Sequence, residues 1–360
     1  MKFAVVRNDS NTFKESLLES LVYTCSQKGD QQVNNTDEAD YVLNLTTLEN
    51  PRSIRRKSRS LFVITFICGY EINMDPEKIK ADSYNALVKS LSNQLIYISS
   101  GLETYFTTPE AGFYNIYFNA EEIYEKIRPI ISSNFATDNR FVQDLPEKLW
   151  NGSDITGQMS KYGKVLDELG VLPVPFRLKG FLSETQLRQL YKIYGITGAS
   201  YGNLSARERI PELGEDTFWM TGRGVDKSNL HKIGKDILLV KDFDYEKREA
   251  VISMPADYDP KARVSVDAVE HSMIYKAFPE VGAIVHAHAW IRGVKCTRQN
   301  YPCGTIELAE EVLSLLKTTD DPTSAAVGLK NHGLTITGKS LQEIFRNYSH
   351  KLVKEVKMFA

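Results

Sequence analysis

The sequence reads VGAIVHAH at residues 281–288, an apolar run that ends in two histidines one residue apart. Such a run predicts a buried strand, and side chains two positions apart on a strand point to the same face. His286 and His288 can therefore offer two imidazoles to one ion, and His332, in KNHG at residues 330–333, can add a third. Packed core histidines are the other interpretation of this pattern.

An acidic residue precedes these histidines in the chain. Asp267 lies in SVDAVEH, residues 265–271, and a carboxylate beside an ion held by three histidines can act as a ligand or as a proton acceptor. With Ser265 as a helix N-cap, Asp267 would lie in the first helical turn, where the helix dipole favours a negative charge. His271 shares a helix face with Asp267 and is interpreted as an orienting or packed residue, not a ligand.

Five sequence segments, taken in order, resemble the class II (zinc-dependent) aldolase/adducin family. They are GASYGNLSAR at 198–207, MTGRG at 220–224, SVDAVEH followed by YKAFPE within 265–280, HAH at 286–288, and NHGL at 331–334. The family includes L-fuculose- and rhamnulose-phosphate aldolases, L-ribulose-5-phosphate 4-epimerase, a thioribulose-phosphate dehydratase, some decarboxylases and the non-enzymatic adducins. For residues 183–360 the resemblance implies a metal-binding catalytic domain, built as an αβα sandwich around a mostly antiparallel sheet.

The same resemblance implies the metal and the groups that move protons. His286, His288 and His332 would bind zinc (Zn2+), or another divalent transition metal such as Mn2+, Fe2+ or Co2+, since imidazole suits these ions. Asp267 would be catalytic; the aldolases usually carry Glu there, and the 4-epimerase carries Asp. Because the shorter carboxylate lies farther from the ion, Asp267 is expected to orient or deprotonate without binding metal. Tyr301 is the candidate general acid, one residue out of step with the Tyr that precedes a Gly-Thr in the aldolases; the alternative is a packing role at a strand edge.

A second set of residues matches the positions that bind the substrate phosphate in the family, namely Gly202, Asn203, Thr221, Gly222 and Ser265. Val266 stands where the family has a second Ser, which removes one hydrogen-bond donor. Arg223 could replace that donor with a charge-assisted contact. Alternatively, the substrate could carry a carboxylate in place of phosphate, or Arg223 could be a solvent-facing turn residue.

The composition is ordinary for a globular protein of more than one domain. The chain has 360 residues, of which 42% are hydrophobic and 25% charged. A net charge of −2 argues against a general binder of nucleic acid or of anionic membranes. The four cysteines are widely spread and form no Cys-x-x-Cys pair, which argues against a zinc ribbon or a disulfide framework. No signal peptide or membrane span is recognised, so a cytoplasmic location is expected.

The N-terminal half resembles no family that we recognise. Residues 1–150 are predicted to form a smaller Rossmann-like α/β domain of unknown role, because short apolar strands alternate with helical patterns. No G-x-G-x-x-G follows the first strand, so dinucleotide binding has no support. Residues 151–182 are predicted to be a linker with a short helix, since Pro173 and Pro175 resist helix formation. A further helix is predicted for residues 183–194.

These observations predict a metal-dependent aldehyde-lyase (aldolase) or sugar-phosphate epimerase. Its substrate would be a phosphorylated ketose or a related small hydroxy-carbonyl compound, and the reaction would pass through a metal-stabilised enediolate. One alternative is a dehydratase or decarboxylase that acts on a small hydroxy acid at the same site. Another is a non-catalytic, adducin-like binding protein. By resemblance, the chain is expected to form a homo-oligomer, most simply a tetramer, with its sites at subunit boundaries.

Overall fold

The structure, a computed structural model, describes residues 1–8, 12–54, 56, 61–69, 75–172, 183–185, 187–188 and 201–360. Two compact units are present, the first formed mainly by Met1–Ser133 and the second mainly by residues 134–172 and 201–357. The boundary therefore falls earlier than the predicted residue 150. The reason is that residues 134–172 give a strand and a helix to the second unit. The helix predicted for residues 183–194 lies largely outside the described residues.

The first unit contains one seven-stranded sheet. Its elements are β1 (Lys2–Arg7), α1 (Thr12–Gln27), β2 (Gln31–Val33), β3 (Tyr41–Leu45), β4 (Phe62–Cys68), α2 (Pro76–Ser90), β5 (Gln94–Ile98), β6 (Glu103–Thr107), β7 (Phe113–Tyr117) and α3 (Ala120–Ile131). The strand order is β2-β1-β3-β4-β5-β6-β7. Pairing is parallel from β2 to β5 and antiparallel from β5 to β7.

Short apolar runs at residues 3–6, 41–45, 61–66 and 95–98 predict strands in this half, and β1, β3, β4 and β5 confirm them. Strands β3, β4 and β5 are buried along their whole length, as the continuous apolar runs of a parallel sheet require. Helix α2 begins where the sequence favours it: Pro76 is its first residue, and the Asp75 side chain accepts a hydrogen bond from the Glu77 N–H. The Rossmann-like character of this unit stays a prediction.

The second unit contains one eight-stranded sheet with four helices among the described residues. Its elements are β8 (Asp138–Val142), α4 (Asp154–Leu169), β9 (Asn203–Arg207), β10 (Phe218–Thr221), β11 (Ile237–Asp244), β12 (Glu249–Ser253), α5 (Ala268–Ala277), β13 (Ala283–Ala287), α6 (Ile306–Leu316), β14 (Ala326–Leu329), β15 (Gly333–Gly338) and α7 (Leu341–Tyr348). The strand order is β14-β15-β13-β9-β10-β11-β12-β8. Only the β12–β8 pair is parallel, so the sheet is mostly antiparallel, and the sandwich arrangement stays a prediction.

The central strands of this sheet position the candidate site. Strand β13 is fully buried and lies between β15 and β9. The register places His286 of β13 opposite Thr335 on one side and opposite Asn203 on the other. Helices α5 and α6 contribute Val269, Ile274 and other apolar residues to the core beside the sheet. His286 and Asn203 of the candidate site therefore lie on paired strands.

The C-terminal helix is shorter than its sequence pattern predicts. A helix over residues 341–358 is predicted, but α7 ends at Tyr348 and a single 3-10 turn follows over Ser349–Lys351. The cause is a competing backbone pairing, in which Val353 and Trp290 exchange hydrogen bonds of 2.9 and 2.8 Å. Among the described residues, no helix is both long and apolar enough to cross a membrane.

Candidate metal centre and active site

The first predicted ligand, His286, is fixed in one orientation by the neighbouring strand. Its Nδ1 lies 3.1 Å from the Leu334 carbonyl oxygen of β15, so Nδ1 donates and the other ring nitrogen, Nε2, carries the lone pair. Nε2 is buried and has no hydrogen-bond partner among the described residues. A buried acceptor in this state loses stabilisation unless a ligand binds to it.

The second predicted ligand, His332, is held in the turn between β14 and β15. Asn331 adopts a left-handed backbone with φ of 58°, a conformation that Asn tolerates better than most residues. Gly333 comes next, and a Cβ built there would lie 2.3 Å from the Ala287 carbonyl oxygen. The Asn-His-Gly sequence therefore lets the backbone turn and approach β13 closely, which brings His332 beside His286.

The third predicted ligand, His288, lies just beyond the end of β13. Its backbone N–H donates to the Val171 carbonyl oxygen at 3.2 Å, and its ring lies 4.8 Å from the ring of Tyr201. Gly202 follows Tyr201 with φ of 75°, and a Cβ there would lie 2.6 Å from the His286 carbonyl oxygen. The glycine thus allows the backbone at residue 202 to approach the histidine strand closely.

The three predicted histidine rings lie together. Their centroids are separated by 5.2 Å for His286 and His288, 4.7 Å for His286 and His332, and 4.9 Å for His288 and His332. Imidazole nitrogens that bind one ion tetrahedrally at about 2.0–2.1 Å would place ring centroids about 5 Å apart. The ring arrangement therefore fits a shared metal ion.

Cys303 also belongs to this cluster, although the sequence did not predict it as a site residue. Donor atoms of His286, His332 and Cys303 all lie within 4.8 Å of one another, whereas His288 is outside this group. The Cys303 Sγ lies 3.6 Å from the His332 Nε2. Cys303 lies two residues after Tyr301 and directly before Gly304 and Thr305, in the segment that the sequence had singled out for Tyr301.

Burial favours the uncharged imidazoles of His286 and His332, the form that metal binding requires. Burial is the main cause that lowers the pKa of His286, and it also lowers the pKa of His332 well below its ordinary value. For His332 the neighbouring histidines His286 and His288 act in the same direction. Neutral rings with available lone pairs are therefore the stable state around neutral pH.

Asp267 lies beside this cluster in a fixed orientation. Its Oδ2 accepts a hydrogen bond of 2.6 Å from the Asn203 Nδ2, and its Oδ1 accepts one of 3.1 Å from the Cys303 Sγ. The predicted helix start is wrong: α5 begins at Ala268 with Asp267 itself as N-cap, so Ser265 lies outside the helix. The backbone turns at Asp267, and this directs the carboxylate toward Asn203 and Cys303.

Three further buried ionisable groups surround Asp267. Burial raises the pKa of Glu270, and the negative charge of Asp267 raises it further. A 2.7 Å hydrogen bond that Thr335 donates to the Glu270 carboxylate acts in the opposite direction. Burial lowers the pKa of Lys227 to about 8, against the charges of Asp226 and Asp267. Sequence reasoning named neither Glu270 nor Lys227 as a site residue, because burial of a charged residue is set by contacts distant in the chain.

The third of these groups is His271, which has the role of a packed residue. Burial lowers its pKa to about 3. Its Nδ1 lies 2.8 Å from the Ser205 Oγ, which is also 2.8 Å from the Tyr275 hydroxyl. His271 therefore stays neutral in a buried polar chain, in agreement with its interpretation as an orienting or packed side chain.

The residues predicted to bind phosphate are partly brought together. Thr221 lies on β10, next to β9, and its Oγ1 accepts a 3.4 Å hydrogen bond from the Leu204 N–H. The Ser265 N–H donates to the Thr221 carbonyl oxygen at 3.1 Å, and Gly222 forms a bridge with Val264. Asn203, Thr221, Gly222 and Ser265 thus occupy adjoining backbone segments near Asp267.

Arg223 and Tyr301, the other two predicted site residues, contact other parts of the second unit. Arg223 is buried, and its Nη2 donates to the Thr137 carbonyl oxygen at 2.9 Å, so the solvent-facing alternative is wrong. Tyr301 is half-buried and packs against the core that α5 and α6 share. Cys303, two residues after Tyr301, is the residue of this loop that contacts both Asp267 and His332.

Comparison with known proteins identifies the class to which this region is related. Residues 185–291 match the family model of the class II aldolase and adducin N-terminal domain. This match confirms, for that part of the chain, the resemblance seen in the sequence. No curated protein matches the chain.

Solved structures show weaker similarity. L-fuculose 1-phosphate aldolase is 19% identical over 56% of this chain and 82% of that chain, with a TM-score of 0.36. YgbL from Klebsiella pneumoniae, a proposed aldolase/epimerase/decarboxylase, is 19% identical over 55% and 84%, with a TM-score of 0.35. A DNA/pantothenate metabolism flavoprotein from Streptococcus pneumoniae is 11% identical over 35% and 94%, with a TM-score of 0.25.

Proposed function

We propose that this protein is a metal-dependent aldehyde-lyase or sugar-phosphate epimerase. The family match over residues 185–291 supports a lyase- or epimerase-type function. The observation that carries the proposal is the buried cluster of three histidine rings 4.7–5.2 Å apart, with the carboxylate of Asp267 beside it. Buried neutral imidazoles next to an oriented carboxylate suit proton abstraction from a substrate that a cation polarises.

His286, His288 and His332 would hold the ion. When bound, a divalent transition metal acts as a Lewis acid that polarises a carbonyl and stabilises the negative charge of an enediolate. The donor chemistry fits zinc, Mn2+, Fe2+ or Co2+, since imidazole is a common ligand for these ions. The Nδ1 of His286 is hydrogen-bonded to the Leu334 carbonyl oxygen. Such an orienting hydrogen bond typically accompanies a metal-binding histidine.

Asp267 would take and return the proton. Its Oδ2 is held by the Asn203 amide, so the carboxylate is oriented before substrate binds. Orientation of a general base lowers the entropic part of the barrier. Because Asp267 is 4% exposed, little solvent competes with the substrate for the proton.

The phosphate or carboxylate of the substrate would lie against Gly202, Asn203, Thr221, Gly222 and Ser265. Backbone N–H groups and hydroxyls can hold an anion without a formal positive charge. Arg223 would add a positive charge to this region, although its Nη2 is already bonded to Thr137. Tyr301 is proposed as the general acid for the departing oxyanion.

A metal-dependent conversion screen tests this proposal. Purified protein, reloaded with zinc, would be incubated with a panel of ketose 1-phosphates, ketose 5-phosphates and small hydroxy acids. Mass spectrometry would distinguish carbon–carbon cleavage, epimerisation and loss of water or carbon dioxide. We expect one substrate class to be converted, and conversion to stop after chelation and return with zinc. Binding of a panel compound that is never converted, with or without metal, would favour an adducin-like binding protein.

A further inference from the structure

We propose that Cys303 is a metal ligand at this centre, as a fourth protein donor beside the three histidines. The inference rests on the proposed metal site and adds a thiolate to it. Its starting observation is that donor atoms of Cys303, His286 and His332 form one group within 4.8 Å. A second observation points to the same ion: the buried Nε2 of His286 has no hydrogen-bond partner among the described residues, so its lone pair is available to a metal.

The measured sulfur–nitrogen distance fits a shared ion. An ion bound tetrahedrally to a thiolate at about 2.3 Å and to an imidazole at about 2.0–2.1 Å separates the two donor atoms by about 3.6 Å. The Cys303 Sγ lies 3.6 Å from the His332 Nε2. The loop that carries Cys303 is also fixed, since Thr305 caps α6 by accepting from the Leu308 N–H and the Gly304 carbonyl oxygen accepts from the Ala136 N–H.

Cys303 occupies the space that the shorter Asp267 leaves. A glutamate at position 267 would reach about one carbon–carbon bond farther toward the histidines. The Cys303 Sγ instead lies between them, 3.1 Å from the Asp267 Oδ1 and 3.6 Å from His332. A thiolate can therefore supply the fourth donor while Asp267 remains available for proton transfer.

Metal binding would release one proton from the thiol. The Sγ–H bond breaks, the proton passes to the Asp267 Oδ1 and from there to buffer, and the sulfur lone pair forms the metal bond. No oxidant or reductant is involved, because the thiolate and the ion keep their oxidation states. A soft thiolate donor favours zinc and Co2+ over Mn2+. Substrate would bind by expanding the coordination to five or by displacing one protein ligand.

Cobalt substitution tests the inference with a spectroscopic readout that needs no substrate. Metal-free protein would be titrated with Co2+, and its near-ultraviolet thiolate-to-cobalt charge-transfer band would be recorded together with the visible bands of bound Co2+. We expect the wild type to show both. Cys303→Ser should lose the charge-transfer band and keep the visible bands. The matched control is Cys296→Ser, at a half-buried cysteine of the same unit, which should keep both.

The outcomes separate this inference from the proposed metal site. Stoichiometric Co2+ binding without a charge-transfer band, or with a band that survives in Cys303→Ser, would overturn the role of Cys303 and leave the histidine site in place. Failure of the wild type to bind Co2+ would overturn both. A second measurement uses the wild type alone: zinc should slow alkylation of Cys303 about tenfold or more, as followed by peptide mass spectrometry. An unchanged alkylation rate in zinc-loaded protein would contradict metal binding by Cys303.

Discussion

Replacement of Gly333 by alanine should damage the metal centre without touching a metal donor. Gly333 starts β15, directly after His332, and a Cβ added there would lie 2.3 Å from the Ala287 carbonyl oxygen. Both partners in this contact belong to paired backbone of β13 and β15, so neither can rotate away as a side chain would. The backbone of the His332 turn must therefore move.

The size of this movement sets the expected loss of affinity. Real Cβ atoms essentially never approach another atom closer than 3.0 Å, so the strands must separate locally by at least about 0.7 Å. Binding sites tolerate displacements of only about 0.5 Å in their coordinating groups. Disturbed support of a ligand typically costs about 10–100-fold in metal affinity. We expect Gly333→Ala to weaken zinc binding within that range.

The assay is competition for zinc between the protein and a chromogenic chelator, with folding checked by circular dichroism. Gly157→Ala is the control, because a Cβ at Gly157 meets nothing within 4 Å and should leave zinc affinity unchanged. A folded Gly333→Ala protein with wild-type zinc affinity would show that the close approach of β15 to β13 does not position His332.

Three further predictions concern proton transfer, packing and assembly. Asp267→Asn should keep the fold and most of the zinc affinity but lower turnover about 10²–10⁴-fold, because the amide cannot accept the proton; near-normal turnover on the substrate found by the screen would remove Asp267 from the mechanism. Gly163→Ala should lower the free energy of unfolding by about 1–3 kcal/mol, since its Cβ would lie 2.5 Å from the Lys227 carbonyl oxygen. In the same helix, Gly157→Ala should raise the free energy of unfolding by about 0.5–1 kcal/mol. Chemical denaturation measures the change for each variant, and equal changes in the two variants would contradict the packing of α4. Light scattering should find a homo-oligomer, most simply a tetramer, and a fully active monomer would contradict a site shared between subunits.

The central strands and the histidine cluster could be predicted because their signals are local. An apolar run with histidines two positions apart indicates both the strand and the face that the two side chains share. Asn331 is likewise suited to the left-handed backbone that it adopts, whereas the need for Gly333 comes from its contact with Ala287, which is distant in the sequence. For the same reason, the apolar strands β3, β4 and β5 of the first unit were predictable.

Features that depend on contacts distant in the sequence could not be predicted. Strand β8 belongs to the second unit because it pairs with β12 more than a hundred residues later, and this shifts the domain boundary. The pairing of Val353 with Trp290 ends the C-terminal helix early. Cys303 reaches Asp267 and His332 only after the loop before α6 has folded. The sequence favoured Tyr301 in that loop because a phenol is the expected acid, whereas the position before Gly-Thr holds a thiol.

The metal content of protein purified without chelator and dialysed against zinc tests directly whether the three histidines form a metal centre. We expect about one equivalent of a divalent transition metal per chain, held by His286, His288 and His332. His286→Ala should lose most of this metal while it stays folded by circular dichroism. Less than about a tenth of an equivalent in the wild type, even after zinc is added back, would contradict a metal centre at these histidines.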